Sequence, residues 1–184
     1  MKITGTPLKD LMIIEPTLFK DSRGYFFESY HKEKLNQAGI HINFTQDNQS
    51  KSEYGVIRGL HYQLHPKAQT KLVRVIQGTI FDVAVDIRTN SPDYGKWFGL
   101  ELSEENNLQL FIPKGFAHGF SVLSKSAVIL YKCDEFYAPE TEAGIIYNDG
   151  DLNIDWKIPA GKEIVSPKDE KLPSFKNCIN NFYE

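Results

Sequence analysis

The sequence predicts an all-β fold, either a sandwich or a barrel, with few helices. Turn residues interrupt the chain about every 8 to 12 residues, and the runs between them are rich in β-branched and aromatic side chains, a combination typical of both architectures. The runs that we expect to form strands are 55–64, 71–88, 97–103, 108–113, 118–124 and 127–137.

The remaining elements follow from local signals. A short helix is expected near 29–39, which ends in a glycine. Within 71–88, the pair Gly78-Thr79 is a short turn, and it predicts that the two halves of this run form a hairpin. The chain after Asp151 is rich in proline, lysine and aspartate, so we expect it to wrap around the barrel as loops and short helices. No repeat or long linker divides the 184 residues, which predicts one domain with a wrapping segment from about 151.

Charge and composition exclude several functions. The net charge is −3, with acidic and basic residues interleaved, whereas nucleic-acid binding requires a concentrated positive face. The apolar stretch near the start, 11–14, is too short for a secretion signal or a membrane span. Cys133 and Cys178 have the spacing of neither a disulfide framework nor a metal site, so we expect reduced thiols in a cytoplasmic protein.

One expected strand raises the question of a metal site. In RGLHYQLHP, side-chain alternation puts His61, Gln63 and His65 on one face. Metal-binding cupin barrels, which this string resembles, carry His-x-His and then a glutamate, but Gln63 replaces the second histidine here and 66–70 contains no carboxylate. The later string PKGFAH matches the second half of the cupin motif through His118. We therefore expect a cupin-like barrel that has lost its metal site, and no metal cofactor.

Several polar residues on the expected strands are candidates for chemistry. Arg58, His61, Lys71 and His118 fall on core strands, and an enclosed apolar barrel holds few charges unless it needs them. Taken singly, Lys71 could equally extend to solvent, and His118 could be a core histidine with a satisfied hydrogen bond. Tyr131 could be a core tyrosine or a general acid. The residues alone leave these alternatives open.

Two other regions hold candidates of a second kind. Arg23 and Glu28 lie in FKDSRGYFFE, and 46–48 lies in TQDNQSKS, where the residue types also suit ordinary turns. Tyr137 lies in FYAPETEAG, with Glu142 shortly after it. An exposed aromatic ring beside a proline turn could stack on a planar ligand or only pack against the protein.

Longer strings carry a specific resemblance. RGLHYQ, KLVRVIQGTIFDVAVDIR, SPDYGKW, IPKGFAHGF, YAPETEAGI and NDGDLNIDW occur in the order and spacing of dTDP-4-dehydrorhamnose 3,5-epimerases, over about 19–169. This resemblance implies a cupin jelly-roll β-barrel with short flanking helices, a homodimer, and no metal or organic cofactor. Two departures, Ala143 and Tyr147, stand where many relatives carry arginine and tryptophan, and they bear on the detail of the substrate.

The resemblance also implies roles for particular residues. His61 corresponds to the base, Tyr131 to the acid on the opposite side of the sugar, and Lys71 to the cation that stabilises the enolate oxygen at C4. Asp169 resembles the carboxylate that pairs with the base histidine, and Asp82 is a second candidate for that pairing. The implied substrate contacts are Arg23, Glu28, Gln46, Asp47, Asn48, Arg58, His118, Phe120, Tyr137, Glu142 and Lys168, some of them donated across the dimer.

Within that set, Tyr137 corresponds to the ring that stacks on thymine. One conflict arises from strand geometry, because strict alternation puts Arg58 and His61 on opposite faces. A bulge at Gly59, between them, would bring both side chains to the same site.

The implied substrate is dTDP-4-dehydro-6-deoxy-D-glucose, whose C4 ketone acidifies the protons on C3 and C5. Epimerisation at both carbons would give dTDP-4-dehydro-L-rhamnose and needs a base, an acid and an enolate-stabilising cation. A mono-epimerase acting on C3 or C5 alone is the alternative within the same class. A sugar-binding cupin without catalysis is a further alternative, although binding alone would not require this set of groups.

Overall fold

The structure is a computed structural model that describes residues 1–183, and β-strands dominate it, as the sequence predicts. Numbered along the chain, the strands are β1 (Lys2–Gly5), β2 (Met12–Glu15), β3 (Phe19–Asp21), β4 (Gly24–Phe26), β5 (Gln46–Glu53), β6 (Ile57–Gln63), β7 (Lys71–Gln77), β8 (Thr79–Asp86), β9 (Trp97–Ser103), β10 (Gln109–Ile112), β11 (Phe116–Val122), β12 (Ser126–Cys133) and β13 (Glu142–Gly144). The helix α1 (Lys32–Gln37) is shorter than the expected 29–39. Short 3-10 helices cover Pro139–Thr141, Asp169–Lys171 and Phe175–Asn177.

Two antiparallel sheets form the barrel. The first has the spatial order β1-β2-β10-β7-β12-β5, the second has the order β13-β6-β11-β8-β9, and β3 and β4 pair as a separate ribbon. Strands that are neighbours in space are mostly distant in sequence, as jelly-roll barrels require. None of the helices formed by residues 1–183 has the length and apolar composition of a membrane span.

The prediction of a hairpin at Gly78-Thr79 is wrong. β7 pairs with β10 and β12 in the first sheet, whereas β8 pairs with β11 and β9 in the second. Gly78 instead turns the chain from one sheet to the other, with φ of +80° and the Ser126 carbonyl oxygen only 2.2 Å from where a Cβ would lie. A tight turn between two apolar strands is compatible with either arrangement, so local sequence could not distinguish them.

The strand β5 was not predicted as a strand, because it contains almost no apolar residues. It forms the edge of the first sheet, pairs with β12 along its whole length, and alternates between half-buried and exposed residues. The polar residues at 46–48 therefore belong to a regular strand rather than to a turn.

The barrel interior is apolar at one end and polar at the other. On β7, Val73 and Val75 are buried in the main core cluster, and on β12 the same holds for Ala127 and Ile129. On β11, Val122 belongs to the same cluster. Continuing each inward-facing row by alternation leads to a polar side chain near one end of each strand. Those side chains are Lys71 on β7, Tyr131 on β12 and His118 on β11.

A bulge in β6 resolves the conflict between Arg58 and His61. His61 lies opposite His118 on β11, but Arg58 lies opposite Phe120, so two residues of β6 face one residue of β11. Arg58 and His61 therefore line the same cavity. The bulge expected at Gly59 is confirmed.

Replacing Gly59 with alanine is expected to destabilise the fold by about 3 kcal/mol. The residue has φ of +119°, and a Cβ would lie 2.5 Å from the Gly119 Cα and 2.7 Å from the His118 carbonyl oxygen. Urea denaturation measures the loss. Gly150→Ala is the matched control, since nothing lies within 4 Å of its Cβ position, and equal stability of the two variants would contradict the expectation.

The segment after Asp151 forms turns and 3-10 helices. Trp156 and Phe182 pack in the core cluster that covers the second sheet, and the 3-10 helix Asp169–Lys171 contacts β6. This segment thereby brings Asp169 to the polar end of the barrel. That the whole chain is one domain stays a prediction.

Candidate active site

Most of the predicted residues converge at the polar end of the barrel. A cleft of about 350 Å³ opens there, and a cavity of about 160 Å³ adjoins it. His61, Lys71 and Tyr131 line both spaces. The cleft is also lined by Gln46, Asn48, Tyr62, Gln63, Gln69, Tyr137 and Glu142, and the smaller cavity by Ser50, Arg58, His118, Gly119 and Phe120.

His61 is paired with a buried carboxylate. Its Nε2 lies 2.9 Å from Asp169 Oδ1, and the Gly59 backbone N–H donates to Asp169 Oδ2 at 3.3 Å. Burial works to raise the pKa of Asp169, but the hydrogen bond and charge of His61 and the Gly59 N–H outweigh it, so that the pKa is lowered. Asp169 therefore stays ionised at neutral pH and fixes the orientation of the imidazole ring.

A second histidine–carboxylate pair lies beside the first. His118 Nε2 lies 2.7 Å from Asp82 Oδ1, and both residues are buried. The alternative that Asp82 orients His61 is therefore wrong, because Asp82 binds His118 instead. The strands that carry Asp82 and His118 are paired, which brings these two side chains together. Within residues 1–183, Asp82 Oδ2 has no hydrogen-bond partner.

Lys71 brings an amino group to the site. Burial lowers the pKa of its ammonium group, while negative charge on Cys133, Asp82 and Glu142 acts to raise it. The described part of the chain offers the Lys71 ammonium no hydrogen bond or ion pair, so its three N–H groups are available to a ligand.

Tyr131 lies in the sheet opposite the one that carries His61. It belongs to β12 in the first sheet, next to the strand that carries Lys71, while His61 belongs to β6 in the second. Burial raises the pKa of the Tyr131 hydroxyl, against the opposing charge of Arg58. The hydroxyl therefore stays protonated at neutral pH, and it lines the cleft from the sheet opposite the imidazole of His61.

Tyr137 and Glu142 form the outer part of the cleft. The Tyr137 hydroxyl donates to Glu142 Oε2 at 2.8 Å, and Lys168 Nζ donates to the same oxygen at 2.7 Å. Burial of Glu142 works to raise its pKa, but these two hydrogen bonds lower it. Tyr137 is 55% exposed and is accessible to a ligand.

Three predicted contacts lie outside the cleft of this chain. Arg23 pairs with Asp21 on the β3–β4 ribbon, and Glu28 pairs with Lys34. Asp47 points to the other face of its sheet, because it alternates with Gln46 and Asn48, and it pairs with Lys132 at 2.9 Å. These three residues could reach the cleft only if another copy of the chain supplied them or if they moved.

Sequence reasoning missed five residues that line these spaces: Ser50, Tyr62, Gln63, Gln69 and Gly119. Ser50 continues the inward alternation of Gln46 and Asn48, and recognising β5 as a strand would have identified it. The sequence indicates Gln63 only as a lost metal ligand.

In the described residues, no three His, Cys, Asp or Glu side chains form a group that could hold a metal ion. That the protein works without a metal stays a prediction.

Comparison with known proteins agrees with this geometry. Residues 5–177 match the family model described as dTDP-4-dehydrorhamnose 3,5-epimerase. The epimerase of that name from Escherichia coli K12 is 49% identical over 180 residues, which cover 97% of each chain.

Solved structures of relatives have the same fold. The epimerase from Elizabethkingia anophelis NUHP1 superposes with a TM-score of 0.92 at 55% identity, over 96% of this chain and 97% of that one. A dTDP-6-deoxy-D-glucose-3,5-epimerase from Legionella pneumophila, solved in complex with dTDP-4-keto-L-rhamnose, superposes with a TM-score of 0.92 at 47% identity, over 96% of this chain and 93% of that one.

The jelly-roll barrel and its cleft define a cupin-type isomerase, which confirms the predicted fold class. The matches span nearly the whole length on both sides. The chain belongs to the dTDP-4-dehydrorhamnose 3,5-epimerase family, as the sequence strings indicated.

Proposed function

We propose that the chain converts dTDP-4-dehydro-6-deoxy-D-glucose to dTDP-4-dehydro-L-rhamnose by epimerising C3 and C5. The observation that carries this proposal is the placement of the His61–Asp169 pair and Tyr131 in opposite sheets around one cleft. Inverting a carbon next to a ketone requires removal of a proton from one face and delivery of a proton to the other.

In the proposed mechanism, His61 removes the proton on the carbon next to the C4 ketone. One ring nitrogen is bound to Asp169, so the other is held as the acceptor, and the imidazolium that forms is stabilised by the carboxylate. The electron pair of the broken C–H bond moves to the C4 oxygen, where the Lys71 ammonium stabilises the enolate.

Tyr131 then donates its proton to the opposite face of the same carbon. Collapse of the enolate restores the ketone, and the imidazolium and the tyrosinate exchange a proton with solvent before the second carbon reacts. The raised pKa of Tyr131 supports this role, because the hydroxyl is protonated when the enolate forms.

The same proposal assigns the outer cleft to the nucleotide. The exposed Tyr137 ring would stack on thymine, with Lys168 and Glu142 beside it. Arg23 and Glu28 would come from the second subunit of a homodimer, which is consistent with their position outside the cleft of their own chain.

The free thiols of Cys133 and Cys178 support a cytoplasmic location, where such groups stay reduced.

Proton exchange with solvent tests the proposed function. The protein is incubated with dTDP-4-dehydro-6-deoxy-D-glucose in deuterated water, and the label is followed by NMR. We expect deuterium at both C3 and C5 together with formation of the L-sugar. Label at one carbon alone would identify a mono-epimerase, and binding of the nucleotide sugar without any label would identify a non-catalytic cupin.

A further inference from the structure

Glutamine side chains hold the segment that presents Tyr137. This segment, 134–138, connects β12 to the 3-10 helix Pro139–Thr141. The hydrogen bonds are Gln69 Nε2 to the Glu135 carbonyl at 2.8 Å, Gln63 Nε2 to the Phe136 carbonyl at 3.2 Å, the Tyr137 N–H to Gln46 Oε1 at 2.9 Å, and the Ala138 N–H to Gln63 Oε1 at 2.9 Å. Four consecutive residues are thus each bound by a glutamine side chain.

Gln63 contributes most to this arrangement. Its amide oxygen accepts from the Ala138 N–H, and its amide nitrogen donates to the carbonyls of Phe136 and, at 2.6 Å, Lys67. The side chain is only 4% exposed, and both of its N–H groups are used. Gln63 therefore ties the segment 134–138 to the loop that follows β6, although its position is the one that carries the second histidine in a metal-binding cupin.

The position of the Tyr137 ring depends on its backbone. Tyr137 is more than half exposed, so packing restrains its ring little, and the hydrogen bond of its hydroxyl to Glu142 restrains only the far end. The amide groups of Phe136, Tyr137 and Ala138 all bind side-chain oxygens rather than another strand. Loss of the Gln63 amide would release the backbone on both sides of Tyr137.

We propose that Gln63 is a positioning residue that sets the affinity for the nucleotide part of the substrate by holding Tyr137 at the mouth of the cleft. This inference rests on the proposed function, in which Tyr137 binds the base. All polar atoms of the Gln63 side chain bind backbone, so it acts through Tyr137 and takes no part in proton transfer.

The variant Gln63→Leu tests the inference, since leucine has a similar volume and forms no hydrogen bonds. We expect KM for the 4-keto sugar nucleotide and Kd for dTDP, measured by titration calorimetry, to rise about tenfold. The value of kcat should stay within about twofold, because the groups that move protons are unchanged. Hydrogen exchange of the Ala138 amide should become faster in the free protein, which reports the release of the backbone directly.

Two further variants separate positioning from general loss of stability. Asn106→Leu removes an amide that also forms three hydrogen bonds to backbone. Its oxygen accepts from the N–H groups of Ser103 and Leu108, and its nitrogen donates to the Glu101 carbonyl. This turn lies away from the cleft, so the variant should leave Kd for dTDP unchanged. Gln69→Leu removes only the bond to the Glu135 carbonyl and should raise Kd about threefold. It provides the test if Gln63→Leu fails to fold.

The outcomes distinguish this inference from the proposed function. Wild-type protein that binds dTDP but exchanges no sugar protons would refute the proposed function and leave the dTDP and amide-exchange measurements of Gln63 valid. A Gln63→Leu variant that binds dTDP as tightly as wild type would overturn the inference, whatever the turnover. A fall in kcat at constant KM would overturn it as well.

Discussion

Replacing His61 with alanine is expected to lower kcat by about a thousandfold or more, which is within the range that a positioned base contributes. In the proposed mechanism the imidazole removes the substrate proton, and Asp169 cannot replace it because that carboxylate is buried behind the ring and has a lowered pKa. Deuterium incorporation at C3 and C5 should fall in parallel with turnover, since both begin with the same proton transfer. The substrate should still bind, because the proposed nucleotide site lies in the outer cleft at Tyr137.

His65→Ala is the control for this measurement. His65 follows the same strand and is exposed, and its backbone N–H binds Asn181. The control should retain wild-type kcat. Substantial exchange at either carbon in His61→Ala would refute the assignment of His61 as the base for that carbon.

Replacing Lys71 with methionine is expected to lower kcat by roughly a hundredfold to a thousandfold, as removal of an oxyanion-stabilising donor does in other enzymes. Methionine keeps most of the length of the side chain and removes only the charge and its N–H groups. The loss should appear in kcat rather than in KM, because the negative charge on the C4 oxygen develops only as the proton leaves.

The lowered pKa of Lys71 predicts the direction in which activity changes with pH. Only the protonated ammonium stabilises an enolate, and burial lowers the pKa at which the proton is lost. Wild-type activity should therefore decline at a lower alkaline pH than an ordinary lysine would cause, and the residual activity of Lys71→Met should lack that decline. Lys51→Met is the control, because Lys51 lies on the exposed face of β5. Unchanged kcat in Lys71→Met would exclude Lys71 as the enolate-stabilising group.

The apolar strands were predictable from sequence because their periodicity is strong. The strands β6 to β10 fall within the predicted runs, whereas β11 and β12 overlap theirs but begin two residues and one residue earlier. β5 was missed because Gln46–Glu53 has no hydrophobic periodicity, and its strand structure comes from pairing with β12. The pairing partners of β7 and β8 could not be derived from the turn between them, because long-range contacts rather than the turn determine which sheet a strand joins.

The active site was predicted in outline. The family strings identified the residues that meet in the cleft, but the sequence did not separate Asp82 from Asp169 as the partner of His61. That choice depends on how the C-terminal segment folds back on β6, and contacts across more than a hundred positions leave no local signal. The role proposed for Gln63 left no local signal either, because two of its three partners lie 73 and 75 positions along the chain.

The two halves of the cleft differ in how they are built. His61, Lys71 and Tyr131 lie within strands of the barrel, whereas Tyr137 lies in the segment between β12 and β13, held there by side-chain amides. Under the proposed roles, substitutions or insertions between β12 and β13 can therefore alter which nucleotide is accepted without disturbing the strands that carry the proton-transfer groups. Divergence of the substrate at constant chemistry is the evolutionary route that this construction favours.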